Sequence, residues 1–536
     1  MTRVLDATSA LLLAGLGVAA ALVAAALIGR GYFTPWQLAI GLFVGAAFLV
    51  AGVPHHAATK GTVAKSRFAA RHDIVLNGIA RNDAALNEGI YLGLFAGEGG
   101  ADTLRFRGAK HLLSFGTPGA NKSMGLVVPN LAHLRRSMIV IDPKGQLAAI
   151  SARKRAEMGR VIVLNPFGLF AEDLPHLKSV GWNPLLQLDP ESHDFAGDAV
   201  KIGEAIIDKS AGDNGNAKFF ETSGENLITA LAMWERYSKR DKADFRNIRL
   251  ELASPTIFDK ETKQPIAGLL HTLNSMAESE VYALRVAGGR AYARLTDANS
   301  HSTSLQDVID TVLKELAFLD DARMAFDMSR GVIDFGALHR EITTVYLILP
   351  AHKLTAQSKW LRLFVNLALA ELYKNPPTSG ATLPPVLFML DEFGNLGGLS
   401  EIRNALNLSR DYSVQLWVFL QNLAQLKTHY AKDWTSFFSG AGALTTFKTG
   451  DRETAEELAK MCGDREEYIQ TQTPDGRGSM TPHAIPLIRP EDIGRLGRGE
   501  TINLIEPCDM PVLGSAPVYP QTPYGAGLDP NPYYRG

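Results

Sequence analysis

From His111 onward, the chain alternates short apolar runs with stretches whose apolar residues recur at helical spacing. Most of the short runs are nearly continuous in apolar residues, which is typical of parallel strands that are covered on both faces. Segments between them, such as Ser358–Tyr373 and Leu399–Leu408, have the pattern of helices. The sequence therefore predicts an α/β fold with a doubly wound sheet. The predicted strands are His111–Phe115, Ser137–Asp142, Val161–Asn165, Thr343–Leu349, Pro385–Asp391, Gln415–Leu420 and Ala443–Phe447.

One long interval, residues 190–340, interrupts this alternation and shows little strand pattern. Its apolar residues follow helical spacing, so we predict an all-α domain inserted between two parts of the α/β domain, 61–189 and 341–506. The predicted helices include Phe195–Ile207, Glu225–Tyr237, Ile266–Met276 and Ser304–Phe318, and the polar, glycine-containing segment Lys209–Lys218 predicts a mobile loop among them. The last residues, 507–536, are rich in proline and tyrosine and are expected to form a tail without chemistry of its own.

The first 60 residues carry two apolar runs without charge, about 8–28 and 36–53. Each approaches the roughly 20 residues that a helix needs to cross a bilayer, so we predict a transmembrane hairpin in contact with membrane lipid. A cleavable signal peptide is the alternative for the first run, although the second run favours the hairpin. Lys60, Lys65, Arg67 and Arg71 follow the second run, which predicts that the bulk of the chain is cytoplasmic.

The composition argues against several classes of protein. Hydrophobic residues make up 46% of the 536 residues and charged residues 21%, which is typical of a folded protein with two or three domains. The net charge of −2 gives no sign of a nucleic-acid binder, although a local basic surface is compatible with it. Cys462 and Cys508 alone form neither a disulfide framework nor a zinc site.

The segment after the first predicted strand has the form of a phosphate-binding loop. A strand, a loop of small residues and a helix start allow backbone N–H groups to surround phosphates. Lys122 would reach the terminal phosphates of ATP, and the Ser123 hydroxyl would complete the Mg²⁺ shell. Asn121 stands where the motif requires glycine, but asparagine tolerates left-handed backbone angles better than other residues with a side chain. The predicted binding residues are Gly116, Thr117, Pro118, Gly119, Ala120, Asn121, Lys122 and Ser123.

Taken alone, this loop could equally be a structural turn before an ordinary helix. Asp391-Glu392, at the end of a buried strand, adds a second signal, since Asp391 can hold Mg²⁺ and Glu392 can polarise an attacking water. On its own, Asp391 could simply cap the next helix. The two motifs together, on a compatible fold, predict an ATPase.

Two further side chains fit the same chemistry. Gln421 ends the next strand and should face the same crevice, where it could sense the γ-phosphate. Arg410 is a candidate finger for a neighbouring subunit's nucleotide. For each of these residues the alternative is a structural role: a polar strand end for Gln421 and a surface ion pair for Arg410. Asp142 and Lys144 are explained as well by a helix cap and a solvated lysine as by a second phosphate contact.

The order of these motifs resembles the TraG/TraD-like (VirD-type) family of type IV secretion coupling proteins. The resemblance rests on the extended loop Phe115–Leu131, on Asp142-Pro-Lys-Gly145, on Asn165-Pro-Phe and Trp182-Asn-Pro-Leu, and on the later motifs Asp391-Glu392, Arg410-Asp-Tyr, Gln421 and Gly450–Glu456, all within about 108–507. It implies a RecA-like core, an all-α domain in the insertion and a homo-hexamer at the bacterial inner membrane. It also implies recruitment of relaxase–DNA complexes or protein effectors to components of a secretion channel.

Two departures from the family pattern keep other functions open. Asn121 replaces the motif glycine, which leaves a membrane receptor with a vestigial ATPase site as one alternative. The linker between the two apolar runs is short, so any periplasmic docking domain should be minimal. A third possibility is a DNA translocase of the FtsK/HerA type, although no DNA-reading domain is expected in the short proline-rich tail.

Overall fold

The computed structural model describes residues 65–80, 89–97, 102–207, 215–296, 303–377, 383–408, 412–472 and 478–534. The two predicted membrane spans, 8–28 and 36–53, lie outside these residues. Within the described part of the chain, no helix is both long enough and apolar enough to cross a membrane. The long helices Gly215–Lys239 and Leu354–Lys374 carry several charged side chains. The prediction of a multi-pass membrane location is therefore wrong for the described residues.

A central sheet of 11 strands organises the described residues, in the order β2-β1-β15-β14-β11-β3-β10-β9-β4-β8-β5. The strands from β11 to β5 in this order are all parallel to their neighbours. They coincide with the strands predicted from the apolar runs, with ends that differ by at most two residues, so the α/β fold is confirmed. Their bounds are β3 His111–Phe115, β4 Met138–Asp142, β5 Arg160–Leu164, β8 Thr343–Ile348, β9 Val386–Leu390, β10 Val414–Leu420 and β11 Ala441–Thr446.

Alternate residues of these strands enter different cores, which explains why the runs are continuously apolar. In β4, Ile139 and Ile141 belong to one core cluster, whereas Met138 and Val140 belong to the other. The same alternation separates Trp417 in β10 from its neighbours. Both faces of the sheet are thus covered, as parallel strands require.

Four antiparallel strands extend the sheet beyond β11, and the apolar pattern did not predict them. β14 pairs with β11, β15 with β14, β1 with β15 and β2 with β1. β15 comes from the segment that we expected to be a tail, so the first part of that segment belongs to the sheet. The bounds are β1 Ile90–Phe95, β2 Thr103–Phe106, β14 Glu500–Ile505 and β15 Val512–Ser515. A separate hairpin is formed by β12 Asp464–Gln472 and β13 Gly478–Pro486.

The helices of the α/β part follow the strands and pack on the two faces of the sheet. They include the predicted segments after β8 and β9, which are confirmed. Their bounds are α1 Arg71–Leu76, α2 Val128–His133, α3 Gln146–Ala156, α11 Leu354–Lys374, α12 Ser400–Leu408, α13 Leu423–His429, α14 Trp434–Ser439, α15 Arg452–Cys462 and α16 Pro490–Ile493.

Between β5 and β8 the described chain is mainly helical, with one small ribbon of β6 Ile257–Phe258 and β7 Pro265–Ala267. The helices are α4 Phe195–Ile206, α5 Gly215–Lys239, α6 Phe245–Ala253, α7 Leu269–Ala277, α8 Tyr282–Thr296, α9 Thr303–Glu315 and α10 Ala322–Asp327. Helix α5 already begins at Gly215, so the last residues of the predicted loop Lys209–Lys218 are helical; 208–214 lie outside the described residues. The domain limits themselves remain predictions.

Candidate nucleotide site

The order of the strands brings the predicted motifs to one edge of the sheet. β10 lies between β3 and β9, and all three are parallel. Their carboxyl ends therefore point the same way, and the residues that follow them are Gly116, Gln421 and Asp391. Ligands of open α/β sheets bind at this kind of edge. Residues far apart in the sequence thus face one crevice.

The phosphate-loop segment has the predicted strand–loop–helix form. After β3, the loop leads into a π-helical turn, Ser123–Val127, which continues as α2. Pro129 lies at the start of α2 and has no N–H, so it cannot complete the regular hydrogen-bond ladder, and a widened turn precedes it. The Lys122 ammonium folds back into the loop and donates hydrogen bonds to the carbonyls of Gly116 and Thr117.

Asn121 adopts the left-handed backbone conformation that its position in the motif requires, with φ of 80°. Gly119 has the same φ. The Asn121 side chain leaves the loop and donates from Nδ2 to the Ala516 carbonyl at 2.7 Å. A side chain at Gly125 would collide with that carbonyl, since a Cβ there would lie 2.5 Å from it. The glycine of the common motif is thus replaced by a residue that binds the loop to the C-terminal segment.

The two acidic residues after β9 meet the loop from the other side. The Ser123 hydroxyl donates to Asp391 Oδ2 at 2.8 Å. Glu392 has a φ of 60°, a left-handed conformation that is uncommon for glutamate and is found at functional sites. Gln421 Nε2 lies 3.4 Å from Glu392 Oε2 and donates to it. The structure therefore places Ser123, Asp391, Glu392 and Gln421 in one connected group.

Burial alters the acidity of the charged groups at this edge. Burial lowers the pKa of Lys122, and the nearby Asp391 and Glu392 partly offset the shift. Burial also raises the pKa of Asp391 and that of Glu392, and for Glu392 the neighbouring Asp391 charge adds to the increase. Burial raises the pKa of Asp142 to about 7, although its carboxylate accepts a hydrogen bond from the Ala148 N–H at 2.8 Å. Such shifted values favour a site built for charged ligands.

A cleft of about 170 Å³ collects most of the predicted residues. The loop residues from Thr117 to Ser123 line it together with Asp391 and Glu392. Gly116 and Gln421 are not on its wall but contact wall residues, Lys122 and Glu392. Arg410 lies outside the described residues. The wall also contains Asp142, Lys144 and residues that the sequence did not suggest, namely Met124, Gln146, Arg498 and Tyr534.

Two of these missed residues had weak signals. Arg498 stands between Gly497 and Gly499, a pattern typical of a tight turn, and Tyr534 lies in the Tyr533-Tyr534 pair of the proline-rich end. A larger cavity of about 440 Å³ lies beside the cleft and shares Pro143 and Lys144 with it. Among the described residues that line it, Asp321 is the only one with a carboxylate, and it is already paired with Lys353 at 2.8 Å. The smaller cleft is therefore the better candidate for the binding site of a nucleotide with Mg²⁺.

The oxygen and nitrogen groups of the cleft are suited to bind Mg²⁺ and a nucleoside triphosphate. Ser123 Oγ and Asp391 Oδ2 are hard oxygen ligands that already lie side by side, as Mg²⁺ prefers. The loop offers backbone N–H groups at a helix start, and Lys122 adds a positive charge.

Comparisons with known proteins identify relatives of this chain. The family model described as "Type IV secretory system Conjugative DNA transfer" matches residues 56–519. The conjugal transfer protein TraG of Rhizobium radiobacter is 25% identical over 410 residues, which are 74% of this chain and 60% of that protein. The type IV secretion system-coupling protein VirD4 of Bartonella henselae is 24% identical over 374 residues, 68% of this chain and 55% of its own length. The chain thus spans about three fifths of the length of these relatives.

Solved structures show the same fold. The bacterial conjugative coupling protein TrwBdeltaN70 superposes with a TM-score of 0.60 at 15% identity, covering 86% of this chain and 95% of that one. The plasmid coupling protein TrwB in complex with ADP and Mg²⁺ gives a TM-score of 0.58, also at 15% identity, covering 86% of this chain and 95% of that one. The fold, the order of the motifs and the family match all lead to one assignment, which confirms the resemblance seen in the sequence. The chain belongs to the type IV secretory system conjugative DNA transfer family.

Proposed function

We propose that the chain is an ATPase that couples nucleotide hydrolysis to the delivery of relaxase–DNA complexes or protein effectors to a type IV secretion channel. One observation carries the proposal: the Ser123 hydroxyl and the Asp391 carboxylate, 2.8 Å apart, face the cleft that Lys122 also lines. This combination of hydroxyl, carboxylate and lysine is what a phosphoryl-transfer site requires.

Bound Mg·ATP would supply the reactive phosphoryl group and the metal charge, and the protein residues would orient both. Lys122 would exchange its loop carbonyls for phosphate oxygens. Ser123 and Asp391 would hold the metal. Glu392 would orient a water molecule and accept its proton, and Gln421 would fix the Glu392 carboxylate through the contact between their side chains.

The assembly is also part of the proposal. The family resemblance favours a homo-hexamer in which Arg410 of one subunit would approach the nucleotide of the next. The helices between β5 and β8 would form the inserted domain, and we propose that they contact the cargo. These roles rest on the family, because Arg410 is outside the described residues.

Turnover of ATP by the purified full chain tests this function. We expect Glu392→Gln to lower turnover by about 10²- to 10⁴-fold while ATP binding persists, since only the proton acceptor is lost. Lys122→Ala should weaken binding itself. Glu506→Gln is a matched control, because Glu506 pairs with Lys110, just before β3 and therefore at the opposite edge of the sheet.

The same assay separates the alternatives. Absence of turnover in the wild type, or equal turnover in Glu392→Gln, would overturn the ATPase proposal. If none of these substitutions changes cargo binding or secretion, the result would support a receptor with a vestigial ATPase site. Turnover driven by duplex DNA, with movement along it, would support a translocase of the FtsK/HerA type.

A further inference from the structure

The last described residues, which end at Tyr534, form part of the wall of the nucleotide cleft. We call residues 516–534 the C-terminal strap. Its first residue, Ala516, accepts the hydrogen bond from Asn121 of the phosphate loop. Near its end, Tyr534 lines the same cleft as Lys122 and Asp391. The strap therefore touches the loop at one point and the cleft at another.

A buried aromatic cluster anchors the middle of the strap. Tyr524 is buried and stacks on His133 with ring centroids 4.1 Å apart. Tyr91 contacts the Tyr524 ring edge-on, with ring centroids 5.4 Å apart. The Arg105 guanidinium donates to the Tyr524 hydroxyl. Because these partners come from β1, β2 and α2, the strap is fixed to the antiparallel side of the sheet.

A second anchor carries the strap over α3. The Asp529 carboxylate pairs with the Arg153 guanidinium, with Nε and Oδ2 2.8 Å apart. The Asp529 N–H also donates to the Ile150 carbonyl at 2.9 Å. Helix α3 begins at Gln146, two residues after Lys144 of the cleft wall, so this anchor lies on the helix that leads away from the cleft.

The final turn sets the position of Tyr534. Asn531 Oδ1 accepts from the Tyr533 N–H at 3.0 Å, and its carbonyl accepts from the Tyr534 N–H at 3.1 Å. The Tyr533 hydroxyl donates to the Lys144 carbonyl at 2.9 Å. These contacts hold an aromatic side chain at the cleft, although 69% of Tyr534 remains exposed. The exposed part of this ring is therefore available to a ligand bound in the cleft.

We propose that Tyr534 contacts the nucleobase of the nucleotide whose phosphates the loop holds. This inference rests on the proposed function. The loop, Lys122 and the metal-binding oxygens account for the charged end of a nucleotide, whereas the uncharged ring of Tyr534 suits a flat aromatic base. Stacking uses a π-face that every base has, so the contact separates ATP from GTP only weakly.

Binding measurements with and without a base test the assignment. We would titrate the purified full chain with ATP, GTP and inorganic tripolyphosphate in the presence of Mg²⁺, using calorimetry. We expect Tyr534→Ala to weaken ATP and GTP binding by about tenfold and to leave tripolyphosphate binding unchanged, because only the base contact is removed. Tyr534→Phe, which retains the ring, should bind like the wild type.

Tyr468→Ala is the matched control, since Tyr468 is similarly exposed on the β12–β13 hairpin. Unchanged ATP affinity in Tyr534→Ala would overturn the inference while leaving the proposed function intact. An equal loss for tripolyphosphate would also overturn it, since the effect would then lie at the phosphates. A wild-type protein that binds neither ATP nor tripolyphosphate would overturn the proposed function together with this inference.

Discussion

Ser123 and Asp391 are 268 positions apart in the chain, yet the Ser123 hydroxyl donates to the Asp391 carboxylate at 2.8 Å. Their meeting follows from the sheet, because β3 and β9 flank β10 and end at the same edge. The two side chains belong to two motifs that are recognised separately in the sequence. Their contact joins the phosphate loop to the acidic strand end.

The first prediction concerns metal dependence. We expect Asp391→Asn to raise the Mg²⁺ concentration needed for half-maximal ATP binding by about tenfold or more, because a charged oxygen ligand is lost. Ser123→Ala should act in the same direction. Titration of ATP binding against Mg²⁺ measures both. Asp433→Asn removes a surface acid that pairs with Arg403 and should leave the curve in place. A metal dependence that both site variants retain would argue against the assigned ligands.

A second prediction concerns the unusual residue of the phosphate loop. Asn121→Ala should lower the free energy of unfolding by about 1–2 kcal/mol, since alanine is strained at a φ of 80° and loses the bond to Ala516. Asn121→Gly removes the strain but also the bond, so its loss should be smaller. Denaturant midpoints compare the two variants, and ATP titration shows whether the added glycine tightens binding. If alanine were tolerated as well as glycine, the backbone argument would fail.

The pH dependence of turnover provides a third prediction. Glu392 must be ionised to accept a proton, and burial together with Asp391 raises its pKa. Activity should therefore fall as the pH falls through this raised pKa, above the usual value of about 4.3 for a glutamate. The profile of kcat/KM is the measurement, because it reports the free enzyme. An acid limb near pH 4, or one that persists in Glu392→Gln, would assign the titration to another group.

A fourth prediction concerns Asp142, whose pKa burial raises to about 7. A raised pKa means that folding favours the protonated carboxyl, so this contribution to stability is present at low pH and is lost as the pH rises to about 7. Asp142→Asn stays neutral, and its thermal midpoint should rise relative to that of the wild type between about pH 4 and pH 7. Asp173→Asn is a surface control. A midpoint difference that does not change with pH would contradict the prediction.

The sequence alone determined the parallel part of the sheet. Its strands are covered on both faces, so each appears in the sequence as a nearly continuous apolar run. Such a run can be recognised without knowing which strand it pairs with. The Lys122–Ser123 loop and Asp391-Glu392 could be predicted for a related reason. Catalytic groups of such folds follow directly after strands, so the preceding apolar run indicates their position in the sequence. Asn121 was predicted to tolerate a left-handed conformation, and its φ of 80° is of that kind.

Tertiary structure alone decided how the chain end is used. Strand β15 is short and only partly apolar, and its pairing with β1 and β14 leaves no periodic signal in the sequence. The bond from Asn121 to Ala516 joins residues 395 positions apart. Tyr534 lines the cleft at the end of a strap whose contacts at Tyr524 and Asp529 are also with distant segments. Local patterns record which face of an element is buried. They do not record which distant segment covers it, because that depends on chain contacts formed only in the folded state.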